Sequence, residues 1–264
     1  MLAITFICLM FAFGHCKPAL ASAHCSAPEG LDKIAGAKVV IFGDYHGTNE
    51  IPEFFYNAVC ATNVLQNDTL VVGLELPTEF NKIFEPSDEP TAAAATAKLR
   101  KREFWNVMGD GRHSSAMLSL TEKLLVLSYS DRRVKLVALG NEHVNTEGAE
   151  LLMSRVPNSE MARALVLIGN AHAQTRIIPG YNIKPFGATL RENGVDVLSL
   201  NIATSGGEAW LCKTRDTCGP TPVPVTKNDL RPGIQLNGCS ANCSFHGTYF
   251  IKNLTVASPA HAVD

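Results

Sequence analysis

The sequence has few charged residues and no strong excess of either sign. Of its 264 residues, 18% are charged and 46% are hydrophobic, and the formal net charge is -2. A disordered chain needs low hydrophobicity and high charge, so this composition predicts a folded core. The small net charge gives no basis for binding nucleic acid or an anionic membrane.

Several motifs of common enzyme classes are missing. The sequence has no Gly-x-Ser-x-Gly, no P-loop, no His-Glu-x-x-His and no Cys-x-x-Cys-His. These absences exclude an ordinary serine hydrolase, a P-loop nucleotide site, a zincin-type zinc site and covalently attached haem. Beyond the first segment, no stretch reaches the roughly 18–20 unbroken apolar residues of a bilayer-spanning helix, so the mature chain is predicted to have no membrane span.

Residues 1–23 have the pattern of a secretory signal peptide. An apolar run, Leu2–Gly14, is followed by Ala21-Ser22-Ala23, a small-x-small cleavage pattern. The run is too short to span a bilayer, and no Lys or Arg precedes it. A buried N-terminal helix is the alternative. Cleavage after Ala23 predicts a periplasmic or secreted protein.

Cysteine usage agrees with export. Cleavage would leave six of the eight cysteines, an even number that predicts disulfides in an oxidising compartment. Spacing favours the pairs Cys212–Cys218 and Cys239–Cys243, and Cys25–Cys60 remains. The alternative for Cys239 and Cys243 is a zinc site completed by His246, although these residues supply only three neighbouring ligands.

Strand and helix patterns alternate from Lys38 to about Thr204. The predicted strands are Lys38–Phe42, Thr69–Glu75, Val134–Leu139, Ala164–Ile168 and Val195–Asn201. The predicted helices are Asn49–Gln66, Thr91–Arg102, Ser114–Ser130, Thr146–Arg155 and Pro185–Asn193. This alternation predicts an α/β domain over residues 24–205, with a mainly parallel sheet flanked by helices. Residues 206–264, rich in proline and cysteine, are predicted to form a small disulfide-tied β-rich appendage.

Polar residues follow the predicted strands at the edge where open parallel sheets bind ligands. Asp44, Tyr45 and His46 follow the first strand, Glu75 ends the second, and His172 follows the fourth. We therefore expect His46, Glu75 and His172 to converge on one cavity. The structural alternatives are turn residues bonded to the backbone and, for Glu75, a buried carboxylate paired with a cation.

Two other charged residues are candidates for the same site. Arg112, in the loop Gly109–His113, is a planar cation suited to developing negative charge, or else a solvated turn residue. Glu50 follows His46 closely in the sequence, but a carboxylate is also ordinary in the first turn of a helix.

The segment Gly43-Asp-Tyr-His46-Gly-Thr-Asn-Glu50 resembles the G-E-x-x-H-G-x-x-E opening of erythromycin esterases. The motifs Gly43–His46 and Gly169–His172, with Glu75 between them, resemble a wider superfamily over roughly residues 38–201. It joins erythromycin esterases, ChaN-like haem-uptake proteins and Tiki/TraB-type proteases. Asp44 stands where the esterases have Glu, and the chain lacks their helical insert, which argues against macrolide hydrolysis.

The resemblance implies an exported hydrolase that acts on a small molecule or a peptide. In the metal-free form, His46 deprotonates water and Glu75 or Asp44 supports its imidazolium. His172 is then the second acid–base group or an oxyanion donor, and Arg112 assists with charge.

Two other functions follow from other branches of the superfamily. In a metal-dependent hydrolase, His46, Glu75 and His172 would hold a divalent cation such as Mn, Co or Zn. In a haem- or ligand-binding uptake protein, Tyr45 beside His46 would ligate haem iron. A purely structural member without activity is a further alternative.

Overall fold

The computed structural model describes residues 25–85, 89–107, 109–140, 143–177, 184–214, 217–226, 231–239 and 243–260. The predicted signal peptide lies outside these ranges. Within them, no helix combines the length and apolar character that crossing a bilayer requires.

Helices and strands alternate through the first two thirds of the chain. The helices are α1 (Glu50–Leu65), α2 (Asn81–Phe84), α3 (Ala92–Arg100), α4 (Ser115–Ser130), α5 (Ala149–Arg155) and α6 (Phe186–Glu192). The strands are β1 (Val39–Asp44), β2 (Leu70–Leu74), β3 (Val134–Ala138), β4 (Arg163–Gly169), β5 (Val197–Thr204), β6 (Glu208–Thr214), β7 (Thr217–Pro222), β8 (Gly233–Leu236) and β9 (Gly247–Ile251). Each predicted strand and helix is present within a few residues of its predicted bounds.

Seven strands form one sheet in the order β3-β2-β4-β1-β5-β9-β8. All neighbouring pairs are parallel except β8–β9, which is antiparallel at the edge. Strands β1 and β2 are buried along their whole length, which explains their unbroken apolar sequence. The predicted α/β class with a mainly parallel sheet is confirmed.

Helices cover both faces of the sheet. On one face α1 and α4 bury apolar side chains such as Phe55 and Leu124 against Phe42 of β1. On the other face α5 and α6 bury Leu152 and Phe186 against Ile41 of the same strand. Because both faces are closed, the strand ends are the places where the sheet can present polar side chains to a ligand.

The β-rich character predicted for the C-terminal part is present. Strands β8 and β9 extend the main sheet, and β6 and β7 form a separate antiparallel hairpin. The disulfide Cys212–Cys218 ties this hairpin, and Cys239–Cys243 ties the connection between β8 and β9. The zinc alternative is therefore wrong, because both cysteine ligands are used in a disulfide.

The third disulfide, Cys25–Cys60, joins the N-terminal segment to α1 and closes a separation of 35 residues. A cross-link of this span restricts the unfolded chain, so replacing both cysteines by serine is expected to lower the free energy of unfolding by about 3–4 kcal/mol. Denaturant unfolding of the double variant and the parent protein measures this difference. An unchanged free energy would contradict the expectation.

Candidate active site

The sheet order brings three predicted strand ends side by side. Strand β4 lies between β2 and β1, so Gly169 at its end separates Glu75, which follows β2, from Asp44, which ends β1. The backbone N–H of Gly169 donates to Glu75 Oε2 at 2.7 Å. The carboxylates of Glu75 and Asp44 are both buried, with 2% and 4% of their surface exposed.

His46 lies between these two carboxylates. Its Nδ1–H donates to Asp44 Oδ2 at 2.7 Å, and its Nε2 lies 3.6 Å from Glu75 Oε2. Burial by itself would lower the pKa of His46, but attraction to the two carboxylates raises it to about 10. His46 is therefore an imidazolium at neutral pH. The predicted role of His46 as the base that deprotonates water stays a prediction, and it requires the neutral ring that this raised pKa disfavours at neutral pH.

Glu75 is held ionised by two cations. Arg112 Nη1 donates to Glu75 Oε1 at 2.9 Å, while His46 faces the other oxygen. Burial raises the pKa of Glu75, yet the charges of His46 and Arg112 lower it to about 2. Glu75 thus links the two cations of the site.

The loop that carries Arg112 is fixed from two sides. Asp110 accepts hydrogen bonds from Arg112 Nη2 at 2.6 Å and from Arg112 Nε. A side chain on Gly111 would overlap the backbone of His46 and Gly47, so glycine allows the two loops to touch. From the hairpin, Trp210 N–H donates to Gly47 O and its indole N–H donates to Gly109 O. The hairpin thereby braces both loops.

His172 differs from His46 in its surroundings and in its charge. Its Nδ1 lies 2.8 Å from Asn145 Oδ1, and the same oxygen accepts the backbone N–H of Phe186. Because Asn145 Oδ1 only accepts, Nδ1 of His172 carries the hydrogen and Nε2 keeps its lone pair. Burial is the largest effect and lowers the pKa of His172; Glu75 opposes it, and the charges of His46 and Arg112 lower the pKa further. His172 is therefore neutral at neutral pH.

Glycine in the two Gly-x-x-His motifs creates the space between these groups. A Cβ on Gly169 would lie 3.0 Å from His46 Nε2, 3.3 Å from Glu75 Oε2 and 3.4 Å from His172 Cδ2. The three side chains thus surround one point. A Cβ on Gly43 would overlap Asn170 Oδ1, so a side chain there would displace the segment between Gly169 and His172.

Gly169→Ala is expected to lower activity at least about tenfold while the protein stays folded, because the added methyl group occupies the centre of the site. Gly219→Ala is the matched control, since a Cβ there meets no atom within 4 Å. Steady-state kinetics and thermal unfolding of both variants test the expectation. Equal activity of Gly169→Ala and the parent protein would contradict it.

Two predicted residues lie away from the convergence point. Glu50 is bonded to the C-terminal segment instead: its Oε2 accepts the backbone N–H of Thr255 at 2.8 Å, and its Oε1 accepts the Thr255 hydroxyl. The ring of Tyr45 packs against the apolar cluster under α1 and α4, and burial raises its pKa. The first residue stabilises the start of α1, and the second belongs to the core.

The described residues form no ready-made site for the predicted metal. Among the described residues, no three or more His, Cys, Asp and Glu side chains are arranged to hold a metal ion. Both oxygens of Glu75 accept hydrogen bonds, from Arg112 and Gly169, and the raised pKa of His46 favours its protonated ring, which has no lone pair for a metal. The ligand roles predicted for His46, Glu75, His172 and Tyr45 stay predictions.

Sequence reasoning missed Asn145 and Asp110. Asn145 lies in a π-helical turn, Val144–Gly148, that leads into α5, and such turns are frequent at functional sites. Its position after the third strand is the signal that could have found it, because that strand ends at the same edge. Asp110 lies two residues before Arg112, where its bidentate pairing with a nearby guanidinium could have been considered.

Fold and site together define an α/β protein with a cluster of His, Glu and Arg side chains at the carboxyl ends of the strands of a mainly parallel sheet. No family model matches the chain, and no curated protein matches it in sequence. The fold is similar to that of a Bacillus cereus protein, with 9% identity and a TM-score of 0.57, over 86% of this chain and 91% of that one.

A structure described as a succinoglycan biosynthesis protein is also similar. It has 12% identity and a TM-score of 0.52, over 87% of this chain and 91% of that one. The haem-binding ChaN of Campylobacter jejuni matches with 12% identity and a TM-score of 0.41, over 66% and 84%. At these identities the first two likenesses concern the fold alone, and the last carries no argument.

Proposed function

We propose that the protein is an exported hydrolase of the erythromycin esterase/ChaN/Tiki superfamily that cleaves an ester or peptide bond with one charged and one neutral histidine. The observation that carries this proposal is the convergence of His46, Glu75 and His172 on the space at Gly169, and the separation of the pKa values of the two histidines supports it. The surroundings raise the pKa of His46 to about 10 and lower that of His172. Two titratable groups driven apart in this way are suited to act as an acid and a base.

His172 is the general base in this mechanism. Its neutral Nε2 accepts a proton from water while the water oxygen forms a bond to the substrate carbonyl carbon. Asn145 holds the ring by accepting the Nδ1–H at 2.8 Å, so Asn145 is a positioning residue. The tautomer that this hydrogen bond selects is the one that leaves Nε2 free.

His46 is the general acid and an electrostatic stabiliser. Its imidazolium lies beside the space at Gly169, where it can stabilise the carbonyl oxygen as negative charge develops. When the bond to the leaving group breaks, the Nε2 proton of His46 passes to the leaving oxygen or nitrogen. Asp44 and Glu75 keep His46 protonated between turnovers, and Arg112 keeps Glu75 ionised.

The surroundings of the site support access by a small substrate from solvent. The side chain of His46 is 16% exposed and that of Arg112 is 21% exposed, while Glu75 beneath them is closed off. The three disulfides are compatible with an oxidising, exported location.

Asn145→Asp tests the proposal through the pH dependence of hydrolysis on a panel of ester and peptide substrates. A carboxylate beside Nδ1 of His172 would raise the pKa of this histidine, so the acidic limb of the kcat/KM profile is expected to move to higher pH. Asn145→Ala is expected to lower kcat about 10- to 100-fold without this movement, because the ring is no longer held.

Asn193→Ala is the matched control, since Asn193 is an exposed residue at the end of α6. We expect it to leave both the rate and the pH profile unchanged. Absence of hydrolysis across the panel by the folded parent protein would contradict the proposed function. An acidic limb that stays in place in Asn145→Asp would contradict the role of His172.

A further inference from the structure

A second cavity lies near the amino-terminal ends of strands such as β5, whereas the candidate active site lies at the carboxyl-terminal ends of the strands. It has a volume of about 660 Å³, within the range of small-molecule sites. Its walls come from the start of β5, the end of α6, the turn before β1 and the connection between β8 and β9. The predicted catalytic residues take no part in its lining.

The lining combines an apolar floor with a cationic rim. Val195, Val197 and Leu198 supply apolar surface at the start of β5, and Lys33 and Arg191 supply two positive charges. One N–H of the Lys33 ammonium donates to Ile234 O at 3.1 Å. The single carboxylate in the lining, Asp196, accepts the backbone N–H of Lys38 at 3.3 Å. The balance of charge in the cavity is therefore positive.

His246 adds a directed hydrogen-bond donor to the same lining. The backbone N–H of Ser199 donates to His246 Nδ1 at 3.0 Å, so in the neutral ring the hydrogen is on Nε2. Burial lowers the pKa of His246, which keeps this tautomer at neutral pH. The histidine can then donate one hydrogen bond without carrying a charge.

Three glycines in the lining leave open space beside the cavity that a larger side chain would occupy. A Cβ on Gly36 would meet no atom within 4 Å, and the same holds for Gly194 and Gly238. The disulfide Cys239–Cys243 lies at the wall and ties the chain between β8 and β9. The space is thus bordered by covalently tied backbone.

We propose that this cavity is a second ligand site, which binds a small amphipathic carboxylate. The apolar body of the ligand lies on the floor at Val195 and Leu198. Its carboxylate lies at the rim, where Lys33, Arg191 and the Nε2–H of His246 can donate hydrogen bonds. Charge-assisted hydrogen bonds to a carboxylate are the strong ones, so affinity depends on the cationic residues as well as on the apolar floor.

Calorimetric titration of the full mature protein with octanoate tests the proposal. Octylamine, which has an apolar chain but a cationic head, tests the need for negative charge. Inorganic phosphate, an anion without an apolar body, tests the need for the chain. We expect octanoate to bind more tightly than either. Lys33→Gln is expected to raise the Kd for octanoate at least about tenfold, because one charge-assisted contact is lost. Gly36→Leu is expected to abolish binding, because its side chain fills the cavity.

Lys135→Gln is the matched control, since Lys135 is exposed on β3, the outermost strand on the side of the sheet away from β8. This variant is expected to bind octanoate like the parent protein. Three results would overturn the proposal: no binding of octanoate, equal binding of octylamine or phosphate, or an unchanged Kd in both Lys33→Gln and Gly36→Leu. Circular dichroism of each variant confirms that it is folded.

Discussion

Replacement of His172 by glutamine is expected to lower kcat/KM about 10²- to 10⁴-fold, the range over which a general base contributes. Glutamine can still donate to Asn145 Oδ1, but it has no group that accepts a proton from water at neutral pH. The stability of the folded protein should change little, since the half-buried ring mainly bonds this one residue. Steady-state kinetics and thermal unfolding measure the two effects separately.

The pH profile of the parent protein distinguishes this mechanism from one in which His46 is the base. The neutral form of His172 is lost as the pH falls through the pKa of this residue, which is lowered from the ordinary 6.5. The protonated form of His46 is lost as the pH rises through its pKa of about 10. We therefore expect a broad bell between these limits. Activity confined to pH values above about 10 would contradict the assignment, because it would mean that neutral His46 is the active form.

Replacement of His46 by alanine is expected to lower the free energy of unfolding by about 3–5 kcal/mol near pH 6, because two buried carboxylates lose the cation between them. The pKa of His46 is raised from 6.5 to about 10 on folding, so its contribution is complete below pH 6.5 and is lost as the pH rises. The difference between variant and parent should therefore shrink as the pH approaches 10.

Denaturant unfolding at pH 6 and at pH 10, with the disulfides intact, measures this dependence. His143→Ala is a suitable control because His143 is exposed, and it should change the stability little at either pH. A loss of stability in His46→Ala that is the same at both pH values would argue against a charged His46. The corresponding contribution of Glu75 is lost at the acidic end, as the pH falls from 4.5 towards 2.

Much of the sheet could be predicted from the sequence because its strands are buried on both faces. Strands β1 and β2 are apolar over almost their whole length, and polar residues mark the point where each ends. The same logic placed His46, Glu75 and His172 at one edge. The predicted disulfide pairs are also present: close spacing indicated Cys212–Cys218 and Cys239–Cys243, and Cys25–Cys60 was the pair that remained.

The charge states of the two histidines could not be predicted in this way. The imidazolium of His46 depends on Glu75, which comes from another strand and reaches it only through the position of β4 between them. The neutral state of His172 depends on the same cations and on burial. Electrostatic effects of this kind need distances, which a pattern of residue types does not contain.

Glu50 lies apart from His46, Glu75 and His172 for a related reason. Its carboxylate is bonded to Thr255, which lies 205 positions later in the sequence, and nothing near Glu50 indicates that partner. A short sequence motif therefore placed polar residues at one end of the strands, but it did not identify which of these residues face one another.

The late position of β9 has a consequence for how the molecule is made. β9 pairs with β5, its Tyr249 hydroxyl donates to Gly43 O beside the first motif, and Thr255 secures the start of α1. The ribosome synthesises β9 after all the other described strands. The growing chain therefore cannot complete the sheet between β5 and β8 during most of its synthesis. Under the proposed export, a precursor whose sheet stays incomplete until β9 emerges is one that a translocation channel can thread.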